Sequence, residues 1–176
     1  MILKVLAVIA VVIVGVLVFA ATKPDTFSVQ RSRIIQASPE KIFALINDFH
    51  NWTRWAPQDR EDSTMTRTFS GAESGTGAVS AWTSKGSAGA GKMSITESDP
   101  PRKVSVAVDF TKPFSAHNIN EFVFEAEGTS TRVIWSMHGT NLYIMKLMSV
   151  FANMDKVAGS HFETGLQNLK TLAEQK

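Results

Sequence analysis

The sequence contains no cysteine among its 176 residues. Disulfide bridges, cysteine-ligated zinc sites, thiol nucleophiles and lipid-bearing cysteines are therefore excluded. Long blocks of one charge are also missing, because 18 basic and 16 acidic residues are interspersed and leave a net charge of +2. This balance gives no reason to expect nucleic acid or a polyacidic partner. The length suffices for one domain with a hydrophobic core and a short extension.

One stretch, KGSAGAGKMSIT at residues 85–96, comes close to a phosphate-binding loop. Gly86, Gly91 and Lys92 have the G-x-x-x-x-G-K spacing in which backbone N–H groups cradle phosphates. The next residue is Met93, which has no hydroxyl for Mg²⁺, and the residues after it alternate as a strand where the motif requires a helix. The stretch is therefore interpreted as a glycine-rich hairpin, and no nucleotide is expected.

Signatures of metal binding and nucleophilic catalysis are missing as well. Four histidines occur far apart in the sequence, none in an H-E-x-x-H pattern: His50, His117, His138 and His161. No G-x-S-x-G nucleophile elbow is present, and no metal or cofactor is expected. A general acid or base is conceivable among His117, His138, Asp109 and Glu121, since strand residues can point into a cavity. Asp109 and His138 are out of phase with their apolar neighbours, which favours the solvent face.

The N-terminus carries a long apolar run. Val5 to Ala21 is uninterrupted, and Lys4 before it can place its ammonium among lipid headgroups. A spanning helix needs about 20 apolar residues, so residues 2–21 suffice for a retained transmembrane anchor. The alternative is a signal peptide, although the run exceeds the roughly 7–15 residues of an ordinary signal core. We assign residues 1–22 to the anchor and 23–26 to a linker.

The positive-inside rule does not orient this anchor. Lys4 and the amino terminus lie on one side, and Lys23, Arg31 and Arg33 lie on the other, partly offset by Asp25. A short basic start followed by an apolar run resembles an export signal. The domain is therefore expected on the extracytoplasmic, periplasmic side of the membrane rather than in the cytoplasm.

Beyond the linker, the hydrophobic period changes along the chain. Residues 27–37 alternate as a strand, and Ser38 followed by Pro39 predicts a helix start. Residues 50–57 indicate a further short helical turn that Pro57 closes. Six segments with strand character follow, separated by turn residues: 65–70, 78–84, 92–98, 104–110, 122–127 and 132–138.

The C-terminal segment, residues 141–175, returns to a helical period. Gly159 is a candidate division between two helices. Gly165 costs about 1 kcal/mol relative to alanine inside a helix, so it predicts a place of close packing. The whole order is strand, two short helices, about six strands and a long C-terminal helix, which is typical of a meander that curls around one helix.

Several stretches carry a family resemblance: ASPEKIFALINDFHNWTRW, GTGAVSAW, GAGKMSITESDPPRKV, FEAEGTSTRVIWSMHG and FETGLQNLKTL. Together they resemble the START-like (SRPBCC) superfamily, in the group described as polyketide cyclase/dehydrase and lipid transport. The likeness covers Phe27 to Lys176 and leaves the anchor outside. It implies an α+β helix-grip fold, in which a curved antiparallel sheet wraps around a long C-terminal helix. The group includes cyclases, lipid carriers and chaperone regulators, so the resemblance is specific for fold and not for activity.

Aromatic and methionine side chains of the sheet and helices are the candidate ligand contacts. Such side chains often serve only as core, but the strongly curved sheet of this fold leaves space beside the helix. A cavity of that kind suits a flat or lipid-like apolar ligand. The expected lining consists of Trp52, Trp55, Trp82, Met93, Ile95, Phe110, Phe122, Trp135, Met137, Met154 and Phe162.

These features predict a START-like domain at residues 27–176 that binds a small hydrophobic molecule, either a lipid or a polyketide- or isoprenoid-like compound. Its other expected partner is the membrane, through residues 2–21. Two alternatives stay open at this point. One is an enzyme resembling a polyketide cyclase or dehydratase, and the other is a non-catalytic protein-interaction module whose cavity is filled by side chains.

Overall fold

The computed structural model describes residues 1–86 and 88–175, without the side chains of residues 60, 61 and 154. The apolar N-terminal run forms helix α1 (Ile2–Ala21). At 1.5 Å per residue, its 20 residues span about 30 Å, which matches the hydrocarbon thickness of a bilayer. Only Ala20 of this helix is buried, so α1 projects from the rest of the molecule and is long and apolar enough to cross a membrane.

Three short helices follow the first strand. Helix α2 (Pro39–Ile46) begins as predicted, because the Ser38 hydroxyl oxygen accepts a hydrogen bond from a backbone N–H of the first turn at 3.4 Å. A 3₁₀ helix (Phe49–Arg54) and helix α3 (Pro57–Glu61) come next. The prediction that Pro57 closes a helical turn is wrong. Pro57 begins α3, where the missing N–H would have no partner within the helix.

Seven antiparallel strands form one sheet in the order β1-β7-β6-β5-β4-β3-β2. Sequence neighbours from β2 to β7 pair in turn, which confirms the predicted meander, and β1 returns to pair with β7. The strands are β1 (Thr26–Ile35), β2 (Thr66–Gly71), β3 (Ala78–Thr83), β4 (Ala90–Asp99), β5 (Lys103–Lys112), β6 (Ala116–Glu127) and β7 (Ser130–Thr140).

Strand β6 begins six residues earlier than the alternation predicts, at Ala116 instead of Phe122. The period of two continues through the added half, but the side chains on the inward face there are amides. Asn118 and Asn120 are buried in phase with Phe122 and Phe124. The start was missed because hydrophobic alternation does not mark a strand whose inward residues are polar.

The C-terminal segment forms two helices, α4 (Tyr143–Phe151) and α5 (Met154–Ala173). The division at Gly159 is therefore wrong, since α5 continues through it. A Cβ at Gly159 would lie 2.0 Å from Nη2 of Arg31, so the glycine makes room for a guanidinium. Close packing at Gly165 is confirmed, because a Cβ there would lie 2.7 Å from Cζ3 of Trp135.

The core lies between the concave face of the sheet and the helices. Helix α5 packs along β1, helix α2 covers the middle strands β5 and β6, and the 3₁₀ helix contacts β3. The largest fully buried side chains include Trp55, Phe49, Phe122, Leu166 and Leu169. The architecture is thus the expected α+β helix-grip fold, a curved antiparallel sheet around the C-terminal helix, with α1 added at the N-terminus.

Candidate ligand-binding cavity

A cavity of about 570 Å³ lies between the concave face of the sheet and the helices. We call it the central cavity. Strand alternation turns one side chain in two toward it from each of five neighbouring strands, β3 to β7, and α5 and the 3₁₀ helix close it. Its large apolar lining residues are Trp52, Met65, Trp82, Met93, Val108, Phe110, Trp135, Met137 and Phe162.

The indole rings of this wall are held by hydrogen bonds to the backbone. Nε1 of Trp52 donates to the Ile46 carbonyl at 2.8 Å, and Nε1 of Trp82 donates to the Ala88 carbonyl at 3.0 Å. A buried indole N–H normally needs such a partner. Because these N–H groups are already satisfied, the rings present apolar faces to the cavity.

Gly91, which belongs to the apparent phosphate-loop pattern, makes room for this wall. A Cβ at Gly91 would lie 2.5 Å from Cη2 of Trp82, so only glycine lets the indole lie across β4. The Trp82 ring then meets Phe110 edge to face, with ring centroids 5.4 Å apart. The glycine of the hairpin therefore serves the packing of an aromatic wall.

The opposite wall is a stacked pair. Trp135 of β7 and Phe162 of α5 lie with ring centroids 4.2 Å apart and planes 7° from parallel. Both side chains are buried, at 4% exposure each. Their stacking joins the sheet to the C-terminal helix at the cavity and gives the wall a flat aromatic surface.

Two buried asparagines of β6 place polar groups on the concave face. Asn120 lines the central cavity, and its Oδ1 accepts a hydrogen bond from Nε1 of Trp135 at 3.4 Å. Asn118 is 6% exposed, and its Oδ1 has no hydrogen-bond partner among the described residues. The sequence interpretation missed both, although their phase relative to Phe122 places them on the inward face.

Polar and charged side chains also line the cavity, outside the buried core. They are Gln58, Asp62, Lys112 and His161, all exposed or half-buried. Asp62 is fixed by Ser84 and Thr64, and the hydrogen bonds from these two residues hold the pKa of its carboxyl below the ordinary value. The cavity is thus apolar inside, with a carboxylate in its lining that stays ionised at neutral pH.

The structure brings together seven of the predicted lining residues: Trp52, Trp82, Met93, Phe110, Trp135, Met137 and Phe162. Trp55, Ile95 and Phe122 do not reach the cavity. They are at most 2% exposed and fill the core beneath it, because alternation decides the face of a side chain but not its depth. The Met154 side chain lies outside the described residues.

The candidate acids and bases from the sequence lie on the other face of the sheet. Asp109 pairs with Nδ1 of His117 at 2.6 Å, and Glu121 pairs with Lys103 at 2.9 Å. His138 is exposed on the same face. None of these side chains lines the central cavity. Across residues 1–86 and 88–175, no group of three His, Asp or Glu side chains converges as metal ligands would.

A second cavity of about 430 Å³ lies beneath α4. We call it the α4 chamber. Phe110, Lys112, Pro113 and Met137 line both cavities, so the two adjoin. The other apolar residues of the chamber are Phe27, Val29, Phe114, Ala116, Leu142, Met145, Met148 and Ala158.

A helix-grip sheet with a preformed apolar cavity defines a class of small-molecule-binding domains. The family model described as "Polyketide cyclase / dehydrase and lipid transport" matches residues 26–174. The chain belongs to this family. Its name links hydrophobic ligands with the fold, and the apolar lining agrees with that link.

Solved structures with the same fold have little sequence in common with this chain. A protein of Chromobacterium violaceum is 12% identical with a TM-score of 0.62, over 88% of this chain and 100% of its own. A protein of Rhizobium leguminosarum is 14% identical with a TM-score of 0.62, over 86% of this chain and 96% of its own. The Aha1 protein of Colwellia psychrerythraea, solved as a dimer, is 16% identical with a TM-score of 0.58, over 84% of this chain and 96% of its own. No curated protein matches the sequence.

Proposed function

We propose that this chain is a membrane-anchored domain that binds a small hydrophobic molecule in the central cavity. The observation that carries the proposal is the cavity itself, about 570 Å³ lined by aromatic and methionine side chains. Ligand pockets are typically about 300–1,000 Å³, mostly apolar, with a few polar groups that orient the ligand. A cavity filled by side chains, as an interaction module would have, would not leave this volume.

The lining favours a particular ligand chemistry. The flat Trp135–Phe162 stack and the Trp82 ring suit a planar or extended hydrocarbon body, such as a lipid, isoprenoid or aromatic polyketide. Methionines such as Met93 and Met137 adapt to an irregular outline. The Asn118 side chain, whose Oδ1 has no hydrogen-bond partner among the described residues, lines the adjoining chamber, and its amide suits one polar group on an otherwise apolar ligand.

The anchor is proposed to be α1, which places the cavity beside the bilayer where apolar molecules are concentrated. Lys23 follows the apolar run, and its ammonium lies 4.8 Å from the centroid of the Phe19 ring. A basic residue and an aromatic ring at the end of a span are typical of the membrane interface. A signal sequence near the N-terminus can meet the same criteria of length and hydropathy, so retention of α1 is part of the proposal. We place the domain outside the cytoplasm.

Ligand extraction from residues 23–176 tests the binding proposal. The family match begins at residue 26, and a whole relative consists of the matched fold alone, so this part is expected to fold without α1. Native mass spectrometry and solvent extraction of the purified domain should show a bound apolar molecule. Met137→Trp fills part of the cavity, and the purified variant should contain no bound molecule. Ile34→Trp adds the same side chain at an exposed position of β1, and this control variant should retain the bound molecule.

Two results together would contradict the proposal. The purified domain would contain no ligand, and a hydrophobic fluorescent dye would give no binding signal that Met137→Trp abolishes. The enzyme alternative predicts a further result. A cyclase- or dehydratase-like protein would convert a trial polyketide, and turnover would depend on a titratable group in the cavity lining such as His161 or Asp62. A carrier would release the same molecule unchanged.

A further inference from the structure

Helix α4 is apolar on almost every side, although one side is exposed. Its sequence YIMKLMSVF has a single charged residue, Lys146, which is 7% exposed and pairs with Asp25. Ile144, Met148 and Phe151 have exposures of 36%, 49% and 77%. An all-round apolar helix is normally buried in a core or a membrane, so the exposed side calls for a partner.

The three sides of α4 have different neighbours. Ile144, Met148 and Phe151 follow the i, i+4, i+7 spacing and share one side. Met145 is turned toward the α4 chamber, which Met148 of the first side also lines. A third side faces α1 and the linker, through Tyr143 and Lys146. Within the described part of the chain, nothing covers the first side.

The contact with α1 sets the height of α4 relative to the anchor. Oη of Tyr143 donates a hydrogen bond to the Leu17 carbonyl at 2.9 Å. Leu17 lies four residues before Ala21, which corresponds to about 6 Å along the helix axis. The linker is tied to the same region, because the Asn141 N–H donates to the Asp25 carbonyl at 2.7 Å. Helix α4 therefore lies beside the last turn of α1 and the linker.

We propose that the exposed side of α4, formed by Ile144, Met148 and Phe151, lies in the interface of the phospholipid bilayer that α1 crosses. The inference rests on the proposed anchor and adds a second membrane contact made by the domain itself. Interfacial helices bury their apolar side about 5–10 Å into the boundary between headgroups and acyl chains, which is the height that Tyr143 and Leu17 define. Tyrosine is enriched at this level.

This placement gives the α4 chamber a role. Met145 and Met148 line the chamber from α4, and the half-exposed Phe114 lines it from the β5–β6 turn. The chamber adjoins the central cavity through Phe110 and Met137. With α4 in the interface, an apolar molecule moves between the acyl chains and the cavity through the chamber without crossing water.

Depth measurement on the full chain tests this placement. Because the sequence has no cysteine, an introduced cysteine is the only site for a nitroxide label. Phe151→Cys, at the most exposed residue of this side of α4, is compared with Leu6→Cys in α1 and Thr129→Cys in the β6–β7 turn, each in vesicles of phosphatidylcholine and phosphatidylglycerol. The β1–β7 register puts Thr140 beside Thr26 at the anchor end, so Thr129 lies about 35 Å away along β7, at the other end of the strands.

The label at Phe151 should relax with oxygen and be shielded from a water-soluble nickel chelate, at a depth within about 10 Å of the headgroups. The label at Thr129 should behave as in water. Nickel access at Phe151 equal to that at Thr129, with the Leu6 label in the bilayer, overturns the α4 contact and leaves the anchor intact. A Leu6 label that behaves as in water would contradict both the anchor and the α4 contact. Ligand extraction from residues 23–176 is independent of either result.

Discussion

Asn118 and Asn120 are two residues apart on β6 and have different partners. Oδ1 of Asn120 accepts a hydrogen bond from the Trp135 indole, whereas Oδ1 of Asn118 has no partner within the described chain. A buried acceptor without a partner costs about 1–3 kcal/mol of stability. A ligand that supplies the missing donor would account for this cost. Asn118 lines the apolar chamber in which such a ligand would lie.

Replacement of these two amides by leucine should have opposite effects on stability. Asn118→Leu removes an unpaired acceptor and should raise the free energy of unfolding of the ligand-free domain by about 1 kcal/mol, while it reduces ligand retention. Asn120→Leu leaves the Trp135 N–H unpaired and should lower the free energy of unfolding by about 1–3 kcal/mol. Urea unfolding of residues 23–176, with native mass spectrometry, measures both. Equal destabilisation by the two variants would contradict this account of Asn118.

At the scale of elements, most boundaries follow from the sequence because capping and alternation are local. The N-cap at Ser38 and the six meander strands are such cases. Pro57 was assigned to the wrong helix end because proline is common both at the first position of a helix and shortly after its end. Gly159 and the start of β6 were predicted wrongly because their roles depend on distant partners. Gly159 accommodates Arg31 from β1, and the polar start of β6 is a strand because β5 and β7 pair with it on both sides.

Arg31 joins β1 to the first turns of α5. Its Nη2 lies 3.0 Å from Oδ2 of Asp155, and its Nε lies 2.9 Å from Oε1 of Glu163. The guanidinium passes over Gly159, where a side chain would displace it. This contact holds the N-terminal part of α5 against the sheet, at the chamber that Asp155 and Ala158 help to line.

The Arg31 contact predicts a pH-dependent contribution to stability. The hydrogen bond from Arg31 lowers the pKa of Asp155 below its ordinary 3.8. A carboxyl with a lowered folded-state pKa stabilises the fold above its unfolded pKa and loses that contribution as the pH falls through the folded-state value. Asp155→Asn should therefore be less stable than the wild type at pH 7, and the difference in stability should decrease as the pH falls below the ordinary pKa of 3.8. Urea unfolding at a series of pH values from 7 downward measures this difference, and a difference that does not decrease on acidification would contradict the assignment.

At the scale of the whole molecule, the apolar helix α1 and the α4 chamber lie at the same end of the domain. Helix α1, helix α4, the linker and the α4 chamber lie at one end of the β1–β7 strand pair, and the β6–β7 turn lies at the other. If α1 crosses the membrane as proposed, the α4 chamber lies close to the bilayer. Membrane attachment and ligand binding are therefore expected to act together.

The orientation of the anchor gives a prediction for intact cells. If the domain lies outside the cytoplasm, protease added to intact bacterial spheroplasts that express the full chain should digest it and leave a fragment containing α1. A cytoplasmic marker protein should survive the same treatment. Protection of the domain until the membrane is permeabilised would place it in the cytoplasm and contradict the proposed orientation.

By itself, the sequence determined the apolar N-terminal helix, the order of strands and helices, and the aromatic and methionine residues that face inward. These properties depend on hydrophobic period and on neighbours in the chain. The tertiary structure decided which inward residues line a cavity and which, like Trp55, fill the core, because depth depends on packing between distant elements. It also decided that Asn118 lacks a partner and that α4 lies beside α1, since both follow from contacts between segments far apart in sequence.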